Sequence, residues 1–131
     1  VGSQARELPA EVVRFIEERI ETVPHLEALL LVWEQSEGQF RPHEIAARLY
    51  VTPERAGAIL EDLVNRQLVR PGEDENGMYY QYDGAWDAGG ERMAQVAATY
   101  RRHLVQLATL IHSKASTAVH DFARAFRIKK E

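Results

Sequence analysis

The stretch that most restricts what this chain can fold into is a proline-marked junction between two amphipathic segments, Tyr50-Val51-Thr52-Pro53. Before it, Ile45, Ala46 and Leu49 recur at helical spacing, while His43, Glu44 and Arg48 take the opposite, wet side. Phe40 and Pro42 are expected to open that helix. After it, Thr52 is a good N-cap. Pro53 is a good first helical residue, because proline lacks an N–H that the first turn would leave unbonded anyway. Ala56, Ile59, Leu60 and Leu63 then share one side of a helix that the pattern carries to about Gln67. Leu68 and Val69 read as a short strand, Arg70 to Met78 as a polar loop rich in turn formers, and the alternating aromatic run Met78 to Tyr82 as the returning strand.

Two helices are expected upstream. Pro9 and Glu11 suit a helix start, and Val12, Val13, Ile16, Ile20 and Val23 follow at helical spacing until Pro24 breaks the run and opens the next helix. Leu26, Leu29, Leu30 and Trp33 make the buried stripe of that second helix, which Ser36 to Gly38 stop. Helix, turn, helix, strand, loop, strand is the winged-helix order, the two strands and their loop forming the wing. Downstream, Asp83 to Gly90 read as a flexible joint anchored by Trp86. A long helix is then expected over about Glu91 to His112, its apolar positions (Met93, Val96, Ala97, Tyr100, Leu104, Leu107, Ile111) stepping by three and four like a short coiled-coil seam. Ser113 or Ser116 can cap a last short helix carrying Ala118, Phe122, Ala125 and Phe126, before Arg127 to Lys130 end it with cations. The fold class is therefore mainly α with a small β-hairpin. The expected division is a winged domain over 1–83 and a helical, dimer-forming region over 84–131. A chain of 131 residues with 45% apolar content accommodates that plan.

The chain resembles bacterial winged-helix transcriptional regulators of the MarR and PadR kind over roughly residues 24–83. The resemblance rests on "PHEIAARLYVTPERAGAILEDLVNRQLV" and the turn-rich wing: Glu44-Ile45-Ala46 with Leu49, then Leu60 with Leu63, then Gln67-Leu68-Val69. The position before the strand is commonly glycine in such domains and here is Gln67. The tail "HDFARAFRIKK" is similar to the end of an uncharacterised winged-helix family. The resemblance implies a DNA-binding regulator that dimerises through the helix after the wing, with Val96, Tyr100, Leu104, Leu107 and Ile111 as interface candidates.

Charge complicates that implication. Projected at about 100° per residue, the helix after the junction turns Glu54, Ala58, Glu61 and Asn65 outward, with Arg55 and Arg66 on one flank near Asp62. In a DNA-reading winged helix this outer face enters the major groove, where neutralised phosphates supply most of the affinity. Three carboxylates there have the wrong sign, and the wing tip "EDEN" adds three more acids. Asn65 can read adenine and Ala58 can touch a thymine methyl. The candidate DNA-contacting residues are thus Arg41, Arg48, Thr52, Arg55, Ala58, Asn65, Arg66 and Arg70. Residues 1–90 hold eight Arg and Lys against seventeen Asp and Glu; residues 91–131 hold eight against three. Either the acidic body and basic tail pair, or the tail awaits an anionic partner. Duplex DNA and a second copy of the chain are the expected partners. The alternative is a winged-helix interaction module that docks a basic protein surface and leaves DNA alone.

Other chemistry finds no support. Cysteine is absent, which removes disulfides, thiolate metal sites and cysteine nucleophiles and fits a reducing compartment. No apolar run approaches the roughly 20 residues that span a bilayer, and no signal-peptide pattern opens the chain, so the expected address is the cytoplasm with no membrane partner. The five histidines include no i, i+4 pair, and no phosphate loop, dinucleotide fingerprint or nucleophile elbow occurs. No metal, cofactor or catalytic residue is expected. The double glycine in "DAGGER" can cradle an anion in principle, but a hinge is the simpler role.

Overall fold

A computed structural model describes residues 8–114; the expected short helix over 118–126 and the basic end lie outside them. Five helices and a hairpin have defined bounds: α1 (Ala10–Arg19), α2 (Val23–Glu34), α3 (Pro42–Leu49), α4 (Pro53–Asn65), β1 (Val69–Asp74), β2 (Gly77–Tyr82) and α5 (Glu91–Arg102). A further helical stretch covers 104–114. This is the mainly helical winged-helix order expected from the periodicity. Contacts divide the chain into two compact units. One is Pro24–Ala97; the other joins the described residues up to Val23 with those from Ala98 onward.

In the 24–97 unit the apolar stripes of three helices and the inner face of the wing are buried together. Leu26, Leu29, Ile45, Ile59, Leu60 and Leu68 are fully enclosed, and Leu63 and Val69 nearly so. Leu49 is only half-buried. Thr52 caps α4 as its sequence predicts: its Oγ1 accepts from the Arg55 N–H at 3.1 Å. Both α3 and α4 end in left-handed residues that are not glycine, Tyr50 (φ 59°) and Gln67 (φ 63°). In each case the next N–H reaches back five residues, Val51 to the Ala46 carbonyl and Leu68 to the Leu63 carbonyl, closing orphan helix carbonyls. Gln67 thus takes the conformation that glycine usually supplies at this point.

Four expectations need correction. Phe40 does not start α3; it bridges Tyr80, each N–H donating to the other's carbonyl at 2.8 Å. Val23 belongs to α2, since α1 ends at Arg19. The polar run Arg70 to Asp74 is strand, pairing in register from Val69↔Tyr82 to Asp74↔Gly77. Proline is accommodated because Tyr80 already spends its N–H and carbonyl on Phe40, which makes Pro71↔Tyr80 a pair with no ladder bond to lose. Only Glu75 and Asn76 remain as loop, followed by Gly77 at φ 106°, a value that glycine adopts without strain. Finally, the expected helix over 91–112 is interrupted at His103, although His103 N–H still reaches the Thr99 carbonyl at 2.7 Å and Leu107 N–H the His103 carbonyl at 2.9 Å.

The second unit has its own core, with Val12, Phe15, Ile16, Ile20, Leu107 and Ile111 buried. Lys114 Nζ closes the C-terminal end of α1 by donating to the Ile16 carbonyl at 3.1 Å and the Ile20 carbonyl at 2.6 Å. A cation there complements both the orphan carbonyls and the helix dipole.

Candidate nucleic-acid interface

The inner face of α4 is fixed by burial of Ala56, Ile59, Leu60 and Leu63, so Glu54, Arg55, Ala58, Glu61 and Asn65 are exposed on the outer side. Arg48 on α3 and Arg70 on β1 are exposed as well. Arg48, Arg55 and Arg70 form no side-chain ion pair or hydrogen bond among the described residues. Arg66 is half-buried as the C-cap of α4, its N–H donating to the Asp62 carbonyl at 3.1 Å. Thr52, exposed, holds the first turn of the helix.

Arg41 clasps the wing. Its Nη1 donates to the Gly77 carbonyl at 2.9 Å and the Met78 carbonyl at 3.3 Å, and its Nη2 to Asp74 Oδ2 at 2.6 Å. The guanidinium sits 5.5 Å from the centroid of the Tyr79 ring. The hydrogen bond to Asp74 raises the Arg41 pKa, and the same bond holds the Asp74 carboxyl below its ordinary range. Tyr79 in turn covers Gly72, where an added Cβ would collide with the phenol ring. At the far end of the same arginine, the backbone N–H donates to Glu44 Oε1 at 2.7 Å, so one residue joins the start of α3 to the wing tip.

The acids near α4 are oriented by specific bonds. Tyr80 donates its hydroxyl to Glu61 Oε2 at 2.6 Å, linking α4 to β2. Burial first, and the neighbouring carboxylate second, push the Tyr80 pKa up to about 12. Asp62 Oδ2 meets Nε2 of His25, a histidine only 3% exposed on α2, at 2.8 Å. Two of the three carboxylates that the helix projection set against DNA are therefore turned to the wing and to α2; Glu54 remains, in the first turn where its charge complements the helix dipole. None of these cross-chain bonds has a local sequence signal, since the partners are 19 to 37 residues apart.

The glycine-rich joint carries its own anion at the helix start. Asp87 Oδ1 accepts from the Arg92 N–H at 3.1 Å and Oδ2 from the Met93 N–H at 2.9 Å. The anion at the start of α5 is the chain's own carboxylate, and an aspartate just ahead of a helix was the available clue.

Of the interface candidates, Val96, Leu107 and Ile111 are buried within the single chain, Tyr100 is half-buried, and Leu104 is 48% exposed beside Val105 at 73%.

Solved structures share this fold. A MarR family protein from Bacillus stearothermophilus matches with a TM-score of 0.51 at 19% identity, covering 98% of this chain and 86% of that one. A MarR-like transcriptional regulator from Thermotoga maritima matches with 0.54 at 18%, covering 99% and 89%. The fold is that of the MarR-like winged-helix regulators. A variant of S. aureus MepR, bound to an oligodeoxyribonucleotide, matches the same MarR-like fold with 0.55 at 10% identity, covering 99% and 94%. No protein-family model and no curated protein matches the sequence. The MarR-like assignment is thus a statement about shape, and no described helix is long and apolar enough to cross a membrane.

Proposed function

We propose that the protein is a cytoplasmic transcriptional regulator that binds duplex DNA as a homodimer, with the outer face of α4 in the major groove and the wing beside it. The observation that carries this reading is the charge arrangement around α4. Glu61 and Asp62 are held by Tyr80 and His25, while Arg48, Arg55 and Arg70 remain exposed with no partner among the described residues. Unpaired guanidinium groups bordering a groove-sized helix are suited to phosphates. That a structure with the same fold was solved with an oligodeoxyribonucleotide supports the reading. For the homodimer, the adjacent exposed side chains Leu104 and Val105 offer apolar surface that a second copy would cover. The reading assigns Arg48, Arg55, Arg66 and Arg70 to phosphates, Ala58 and Asn65 to base edges, and Thr52 to holding the start of the helix.

Fluorescence anisotropy with random-sequence duplex DNA at low salt tests it. Association should weaken steeply with salt, the log–log slope being about −0.9 per phosphate neutralised. No association at low salt and high protein concentration would remove DNA as the partner and turn attention to a basic protein surface.

A further inference from the structure

Tyr50 is 96% exposed, the most exposed large hydrophobic side chain among the described residues. It also occupies the left-handed backbone region, φ 59° and ψ 43°, as the C-cap of α3. Glycine takes this conformation without strain, asparagine with little; a bulky aromatic residue there is an outlier. Folding does not explain the choice. The ring buries nothing, and the hydrogen bonds that close α3, Tyr50 N–H and Val51 N–H to the Ala46 carbonyl, are made by backbone atoms that glycine would supply equally. Strain kept at a fully exposed aromatic points to a role outside the fold.

The surroundings indicate the partner. Tyr50 stands in the turn that leads into α4, two residues ahead of its N-cap. Between Ile45 and Pro53 the only charged residue is Arg48, exposed and without an ion pair among the described residues; Arg55, also exposed, follows on α4. Glu44 and Glu54 flank this stretch, Glu44 held by the Arg41 N–H, so the two exposed arginines without an ion pair are what an anion would meet there, and the phenol is a hydrogen-bond donor with its own reach.

We propose that Tyr50 is a DNA-contacting residue, its hydroxyl donating to a backbone phosphate at the edge of the groove that α4 enters. This rests on the DNA-binding reading above. The contact is to the backbone, so it sets register and affinity and reads no base.

The test compares the full chain with Tyr50→Phe and Tyr50→Gly, using anisotropy with random-sequence duplex DNA and urea unfolding. A lost hydrogen bond to a charged oxygen weakens binding about ten-fold, so Tyr50→Phe should bind about ten-fold more weakly with an unchanged urea midpoint. Tyr50→Gly should bind at least as weakly, yet unfold at higher urea, the opposite sign from loss of a structural residue. Wild-type binding that both variants match would overturn the Tyr50 contact and leave the DNA reading standing. A Tyr50→Gly protein that unfolds earlier would make the residue structural and also overturn it. Absence of binding by the wild type overturns both.

Discussion

The Tyr80 hydroxyl donates to Glu61 across 2.6 Å, so the residue that anchors the wing also orients a carboxylate on the candidate DNA-facing helix. The phenol's pKa is raised from 10.0 to about 12. An unfolded phenol ionises near pH 10 and the folded one near 12, first because burial disfavours the charged ring and next because Glu61 holds the proton, so the stability carried by the neutral phenol is complete below pH 10 and is lost as pH climbs through about 12. Tyr80→Phe should lower stability at pH 7 by about 1 kcal/mol, and the gap to wild type should close above pH 10. Urea midpoints at neutral and alkaline pH check this.

Arg41 and Asp74 clasp the wing at an exposed position, where salt bridges contribute little to global stability. Asp74→Asn should leave the melting temperature nearly unchanged but speed amide exchange in β2 from Gly77 to Tyr79. Because the Asp74 pKa is depressed, the clasp is complete above the ordinary carboxylate range and is lost as pH falls through the lowered value. Gly72→Ala should loosen the wing from the other side, by displacing Tyr79 from under Arg41.

Gln67 holds φ 63° at an exposed end of α4. Replacing it with glycine relieves a left-handed strain of about 1 kcal/mol, offset in part by the freedom glycine adds to the unfolded chain. Gln67→Gly should therefore raise stability modestly, and calorimetry measures it. A clear loss would mean that the amide makes contacts beyond its backbone role.

These positions show how much of the molecule its sequence discloses. The cap and apolar stripe of α4 are legible because Thr52, Pro53 and the Ile59–Leu60–Leu63 spacing act within one or two turns, whereas the start of α3 is not, since Phe40 pairs with the distant Tyr80. The glycine-like position before β1 is legible too, though occupied by Gln67. The strand through Pro71 is not, since its tolerance depends on Phe40 holding the far edge of Tyr80, thirty-one positions away in register. The same holds for the candidate site. Helical projection sets Glu61 outward, yet its bond to Tyr80, the pairing of Asp62 with buried His25 and the diversion of Arg41 to the wing arise only when distant segments meet.

Leu104 and Val105 separate the dimer proposal from simple core packing. Leu107 and Ile111 are buried in one chain, so charging them would damage the fold whatever the assembly. Leu104→Glu and Val105→Glu, at exposed positions, should reduce a dimeric mass toward the monomer in light scattering while leaving helicity intact. A wild-type dimer whose mass resists both changes would move the interface elsewhere.

The most direct measurement is an amide chemical-shift map of the protein titrated with duplex DNA at low salt. The account predicts that shifts concentrate at Arg48, Tyr50 and Thr52, on the outer positions Arg55, Ala58 and Asn65, and at Arg70 on the wing, and that they fade as salt is added. Shifts confined to residues remote from α4, or none at all, would contradict it.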